Sequence, residues 1–348
     1  MPLNDETRAL IAQINKKFGP GSAVLASQMP AVPLFTTGSL ALDVMLGGGW
    51  PGNQWNEILG AESSGKTTIA HKTIAANQQL DENFTTFWVA AEAYDHAWAE
   101  TLGVDVERVI VYSTNAMEDA YTAMIQAAES RAVDAIVLDS YPALVPDDEY
   151  EKDMDQATIS AGARVTGKFF RKVGSATRRS LVEQERPVLA LIVNQFRDQI
   201  GGWSPAGMTP KTSPGGKARL YAYYTRLEVT RTEWIDEKRP GGGKTRVGQV
   251  IKLKTLKSKS AAPQQVASLK FYFADSVQGF RKGEYDSASQ LVTMGILHGL
   301  IVADGSWYKY GGHRWHGEPK MTAAMRENLD LQEQLSADVM AQIHDGDS

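Results

Sequence analysis

Apolar residues in this chain follow two alternating rhythms. Short runs such as "NEIL" (56–59), "FTTFWVAA" (84–91), "RVIVY" (108–112), "DAIVLD" (134–139) and "VLALIVN" (188–194) are too brief for helices, so they predict strands covered on both faces. Between them lie longer stretches, such as "TTIAHKTIAANQQL" (67–80), that read as helices. The alternation from Thr37 to about Gly279 predicts an α/β core with a mainly parallel sheet. Within it, "RLEVTR" (226–231), "GQVIKLKTLK" (248–257) and "SLKFYF" (268–273) predict additional, antiparallel strands.

Both ends break this rhythm. In residues 4–21, "NDETRALIAQINKKFGPG", Leu10, Ile11, Ile14 and Phe18 share one helical face, and Gly19, Pro20 and Gly21 stop the helix. Pro30 and Pro33 then interrupt any period, which makes 1–36 an N-terminal helical arm and linker before a core at 37–279. The arm's apolar stripe needs a covering surface, on its own domain or on a neighbouring subunit. Residues 280–348 predict a small α+β C-terminal domain: a helical "YDSASQLVTMGILHGL", a strand-like "SWYKYGGHRW" and two closing helices.

Composition narrows the possible chemistry. With 43% hydrophobic and 22% charged residues the chain is of ordinary globular type. No apolar run approaches the ~20 residues of a membrane span, and "MPLNDETRAL" lacks the order of a secretion signal, so a cytoplasmic location is expected. The absence of cysteine excludes disulfides, thiolate catalysis and cysteine-ligated metals, and the six histidines are scattered. A net charge of -5 leaves nucleic-acid binding to be judged from local charge.

"GAESSGKTT" (60–68) has the spacing of a phosphate-cradling loop, with a strand before it and a helix after it. Gly60, Glu62, Ser63, Ser64, Gly65, Lys66, Thr67 and Thr68 are therefore the candidate nucleotide-binding residues. Backbone N–H groups from Ser63 to Thr67 would face the phosphates, Lys66 would reach the outer ones, and Thr67 would ligate Mg2+. Further polar residues stand at the C-terminal ends of predicted strands, the edge where open α/β sheets bind ligands. Asp139 fits an acid that holds Mg2+ through water, Glu92 one that orients the attacking water, and Gln195 an amide that touches the terminal phosphate. Asp95 and Trp98 would hydrogen-bond and stack on a purine. Each alone also reads as a cap or loop residue; their convergence on one edge is what makes a site.

Charge supplies a second surface. Residues 156–182 contain no acid and place Arg164, Lys168, Arg171 and Lys172 on one helical face, and 238–274 carry nine Lys or Arg and again no acid. Between them "GGWSPAGMTPKTSPGG" (201–216) presents Trp203, Met208 and Lys211 in a Gly/Pro-rich loop. Phosphate-binding cations beside apolar groups that stack on bases make a single-strand binding device. A solvated basic face with an ordinary surface loop fits the same residues.

"GAESSGKTT", "AAEAYD", "AIVLDSYPAL", "IVNQFRDQIG", "PGGKARLYA", "KSKSAAP" and "GSWYKYGG" occur in an order and spacing that resembles the bacterial RecA recombinase family over nearly the whole chain. The resemblance implies a RecA-type P-loop ATPase that uses ATP and Mg2+, forms a helical homo-oligomeric filament on single-stranded DNA and pairs it with homologous double-stranded DNA. By position, Glu92 resembles the catalytic carboxylate, Asp139 the acid beside Mg2+, and Gln195 the phosphate sensor. Lys257 and Lys259 match lysines that reach the ATP of the adjacent subunit. Ile159 and Arg164 fall in the first DNA loop and the helix after it; Arg171, Arg197, Gly215 and Gly216 match other DNA-contacting positions, and Tyr221 an interface aromatic. The chain departs from the family pattern at Ala61, Ala90 and Ala93, where Pro, Asp and His are usual. Two rival readings remain open on sequence: a ring-forming hexameric ATPase or helicase, and an ATP-binding DNA filament with little turnover.

Overall fold

The computed structural model describes residues 4–346 apart from 151–160, 178–185, 199–210, 239–240, 260 and 262–263. Helix α1 (Asp5–Phe18) is capped by Asn4, which accepts from the Thr7 N–H, and it carries acids in its first turn and lysines in its last. None of its residues is buried, and Leu10 and Phe18 are 55% and 67% exposed. Ile11 and Ile14 of the apolar stripe are half-buried, so the stripe is exposed at Leu10 and Phe18.

The core begins with α2 (Leu40–Leu46), β1 (Trp55–Gly60) and α3 (Lys66–Leu80). It continues through β2 (Thr86–Ala90), α4 (His96–Thr101), β3 (Val109–Ser113), α5 (Met117–Ser130), β4 (Ala135–Asp139), α6 (Ala161–Ala176), β5 (Leu189–Gln195) and α7 (Gly216–Ala222). The long strands β6 (Thr225–Lys238) and β7 (Lys244–Lys257), then β8 (Val266–Tyr272) and β9 (Glu284–Tyr285), complete one nine-stranded sheet of order β9-β8-β7-β6-β1-β5-β4-β2-β3. Strands β6 through β3 in that order are mutually parallel, and β7, β8 and β9 join antiparallel.

One expectation is corrected here. β6, read from sequence as antiparallel, is antiparallel to β7 along its length but also runs parallel to β1 through Thr225–Val229. β6 and β7 are also longer than the pattern suggested, 14 residues each. Their hairpin turns through Gly241, Gly242 and Gly243, whose φ of 98°, 93° and 91° suits residues without a Cβ.

The unbroken apolar runs are explained by two apolar clusters, one on each face. In β4, Val137 joins a cluster with residues of α2 and α3, while Ile136 and Leu138 join another with residues of α5 and α6. Alternate residues thus face opposite layers, and both layers exclude water. The C-terminal segment contains α8 (Ser287–Leu297), an antiparallel meander β10 (Val302–Asp304), β11 (Trp307–Tyr310) and β12 (His313–His316), then α9 (Glu318–Glu327) and α10 (Leu329–Gly346). Leu291, Val292, Leu335 and Val339 belong to the same apolar cluster as Leu42 and Leu269 of the core.

Helix α3 is anchored by a buried aromatic stack. His71 lies 4.3 Å from Trp88 with the rings nearly parallel, meets Tyr94 edge-on, and leaves its Nδ1 buried without a partner. Burial lowers the His71 pKa to about 4, against the opposing pull of Asp95. The unfolded chain takes up this proton near 6.5, so the neutral ring's contribution is complete above that pH and is lost as pH falls toward 4. We expect His71→Phe, which keeps the stack, to reduce the loss of unfolding free energy between pH 7.5 and 4.5 by about 2.5 kcal/mol. Denaturant titrations of both proteins at the two pH values measure it; equal losses would refute it.

Candidate functional site

β1 ends at Gly60 and α3 starts at Lys66, so residues 61–65 form the turn between sheet and helix. A Cβ on Gly60 would lie 2.3 Å from the Val229 carbonyl oxygen and 2.6 Å from Ser64 Oγ, which leaves room only for glycine. Gly65 holds the N-cap at φ 100°, and no side chain caps α3, so its first N–H groups face an open cleft. That cleft, about 200 Å³, is lined by Ser63 to Thr68 and by Gln249 of β7. Ser64 Oγ is buried there without a partner, and the Lys66 ammonium donates to the Ala61 carbonyl at 2.6 Å. Burial lowers the Lys66 pKa, while Asp139, Glu92 and Glu62 pull it back up. A buried cation, an orphaned hydroxyl and free helix N–H groups make a cradle that fits phosphate.

The parallel register brings the other polar groups to the same edge. Gly60 is level with Gln195 on one side and Val229 on the other, and Asp139 is level with Ala90. Asp139 accepts a hydrogen bond from the Thr67 side chain. Its pKa is pushed up to about 6, chiefly by burial and further by Glu92, against the Thr67 hydrogen bond and the Lys66 charge. Its carbonyl accepts from the Ala91 and Glu92 N–H groups at 2.9 and 3.2 Å, which fixes the turn carrying Glu92. The exposed Glu92 carboxylate accepts from Ser140 Oγ, and the Asp139–Ser140 peptide is cis. Thr67, Asp139, Ser140 and Glu92 are therefore one connected polar group around Lys66. No cluster of three or more His, Asp or Glu that would hold a metal by itself occurs among the described residues.

Asp95 caps α4 by accepting from the Trp98 N–H at 3.0 Å. Trp98 is half-buried, edge-on to Phe271 at 6.4 Å, with the Lys282 ammonium 5.1 Å over its ring. Lys257 lies far from the cleft. It pairs with Arg226, which is level with Glu57 rather than Gly60, and the chain then moves on toward the opposite end of β1. There Lys257 donates to the Leu220 and Tyr221 carbonyls, and Lys259 sits over the Tyr224 ring. Tyr221 is 79% exposed.

On the basic surface, Arg164, Lys168, Arg171 and Lys172 are all exposed along α6, with Arg164 paired to Asp148. Arg197 is exposed just beyond β5. Gly215 and Gly216 turn at φ 107° and 71°, and a Cβ on Gly216 would press on Ala163 of α6 at 3.0 Å, so this turn sits against the basic helix. Ile159, Trp203 and Met208 lie outside the described residues.

Three features of the site were not read from sequence. Gln249 is in phase with Ile251 and Leu253 on the buried face of β7, so a polar residue on an apolar alternation was the available signal. Arg231 donates to the Ser63 carbonyl at 3.2 Å while stacked on Trp234, a contact that follows only from the twisted hairpin. Glu57, a charge inside an apolar strand, is fully buried between Arg219 and Arg226.

The family profile of the RecA N-terminal domain matches residues 6–278. The chain is similar to Protein RecA of Thermus aquaticus, 34% identical over 331 residues that cover 94% of this chain and 91% of that protein. It is also similar to Protein RecA of Frankia alni, 34% identical over 338 residues (95% and 91%), and of Bacillus thuringiensis, 33% identical over 342 residues (96% and 93%). With a profile match over residues 6–278 and similarity that covers 94–96% of the chain, the chain belongs to the RecA family.

Proposed function

We propose that the protein is an ATP-dependent homologous recombinase, with Mg2+ as cofactor, that assembles into a helical filament on single-stranded DNA and exchanges strands with a homologous duplex. One observation carries this reading. The phosphate cradle, the Thr67–Asp139–Glu92 group and Gln195 share one sheet edge, whereas the cations Lys257 and Lys259 sit at the other end of the sheet. A site split in this way is completed by the next subunit, and a contact that repeats without closing builds a helix. The exposed Leu10 and Phe18 of α1 supply a surface for the same assembly.

The residues divide the work by position. Lys66 would leave the Ala61 carbonyl for the outer phosphates, as Ser64 and the α3 N–H groups bind the inner ones. Thr67 and Asp139 would hold Mg2+, which spreads the charge of the phosphate oxygens and opens the terminal phosphorus to attack. Glu92, oriented by Ser140, would align water and accept its proton. Gln195 would report the terminal phosphate to the segment leading toward Gly215, and α6 would hold the DNA backbone. Phosphate release measured with and without single-stranded DNA tests the reading, together with electron microscopy. Stimulated release from open helices is expected; closed rings, or no release, would refute it.

Glu92→Gln should bind ATP yet hydrolyse it ~10²–10⁴-fold more slowly, because the water loses its base. Unchanged steady-state hydrolysis would assign the role to another acid. For the shared site, an inactive Lys66→Ala chain mixed with an inactive Lys257→Ala, Lys259→Ala chain should recover hydrolysis at interfaces pairing an intact cradle with intact lysines. No recovery in verified co-filaments would overturn it. Arg171→Ala should weaken binding to all single-stranded sequences and lower the slope of log affinity against log salt by about 0.7, the loss of one phosphate contact. Fluorescence anisotropy over a salt series measures the slope, and an unchanged value would remove Arg171 from the DNA surface.

A further inference from the structure

We infer that Arg219 is a positioning residue that couples the turn at Gly215 and Gly216 to the nucleotide edge at Gln195. The inference rests on the proposed function for what those two ends bind; the coupling itself rests on contacts within this chain. Arg219 is 1% exposed and its guanidinium reaches in two directions. Nη1 donates to Glu57 Oε1 at 2.5 Å, while Nη2 donates to the Ser213 carbonyl at 2.7 Å and to its hydroxyl. Its stem lies directly under the turn, since a Cβ on Gly215 would be 2.6 Å from Arg219 Cδ. On the other side, Asn194 Nδ2 donates to the same Glu57 oxygen at 2.8 Å, and Asn194 Oδ1 accepts from the Gln195 N–H at 2.8 Å. The contacts run Gly215, Arg219, Glu57, Asn194, Gln195.

Each central member is buried, so none can change partner freely. Glu57 and Asn194 are both 0% exposed, and withdrawing Arg219 from Glu57 would strand a guanidinium out of water. The group is also imperfectly satisfied: Arg219 and Arg226 share one carboxylate, and Arg219 Nε is buried without a partner. Displacement of residues 213–216 therefore moves Arg219, and Arg219 moves the carboxylate that Asn194 holds. A shift at Gln195 travels the same route in reverse, because coupling between two sites is reciprocal.

Hydrogen exchange tests this without DNA. In the wild-type chain, Mg2+ with a non-hydrolysable ATP analogue should slow exchange at residues 60–68 and also at 213–222. In Arg219→Met, which leaves Glu57 paired with Arg226 and Asn194, protection should persist at 60–68 and vanish at 213–222. Its ATP KM and DNA-free turnover should stay within about twofold of wild type, while stimulation of kcat by single-stranded DNA falls at least tenfold. If Arg219→Met does not fold, Arg219→Gln, which fills the position with a shorter uncharged side chain and leaves Glu57 paired with Arg226, is read in its place with the same expectations. Protection at 213–222 that survives the substitution, or is absent in wild type, would overturn the coupling, as would an equal loss of basal and stimulated turnover. Wild-type protection without any DNA stimulation would instead overturn the recombinase reading and leave the coupling standing.

Discussion

A carboxylate with no access to water organises the centre of this molecule. Glu57 lies in the middle of β1, between β5 and β6, and an ionised group there is tolerable only with charged partners in place. Arg219 and Arg226 supply them from α7 and β6, and the Asn194 amide of β5 adds a neutral donor. The same strand delivers Gly60 to the start of the phosphate loop three residues later. The position of α7 and the register of β6 and β5 are thus tied to the strand that carries the proposed nucleotide site.

The edge proposed to bind nucleotide shows the complementary logic. Burial makes the charged forms of both Lys66 and Asp139 costly, and each partly relieves the other. Lys66 rests on a carbonyl and Ser64 has no partner, so the cradle holds donors prepared for an anion. Ala90 and Ala93 depart from the usual family residues, yet Glu92 keeps its turn through the Asp139 carbonyl and its orientation through Ser140. Neither contact uses the side chain of residue 90 or 93.

Much of the architecture was legible in the chain. Unbroken runs such as "AIVLD" identify strands covered on both faces, since only strands with two dry faces can be apolar at every position. The strand–turn–helix geometry at 60–68 was legible because the candidate phosphate loop depends on backbone N–H groups and on glycines at fixed spacing, which are local properties. Less visible was that β6, antiparallel to β7 as expected, also runs parallel to β1: its composition fits either orientation, and only the strand order settles it. The length of the β6–β7 hairpin was hidden as well, because polar residues in its outer half carry no apolar alternation.

Sequence by itself determined the fold class, the cradle at 60–68, the acids at strand ends and the basic face of α6, each of which follows from short-range spacing and residue type. Tertiary structure alone decided which distant residues share a charge or a cavity. Gln249 joins the cleft through strand order, Lys257 is excluded from its own cleft by register, and Glu57 meets Arg219 across 162 positions of chain. Pairings of this kind depend on how strands align and helices cross, and the sequence nearby carries no period that encodes them.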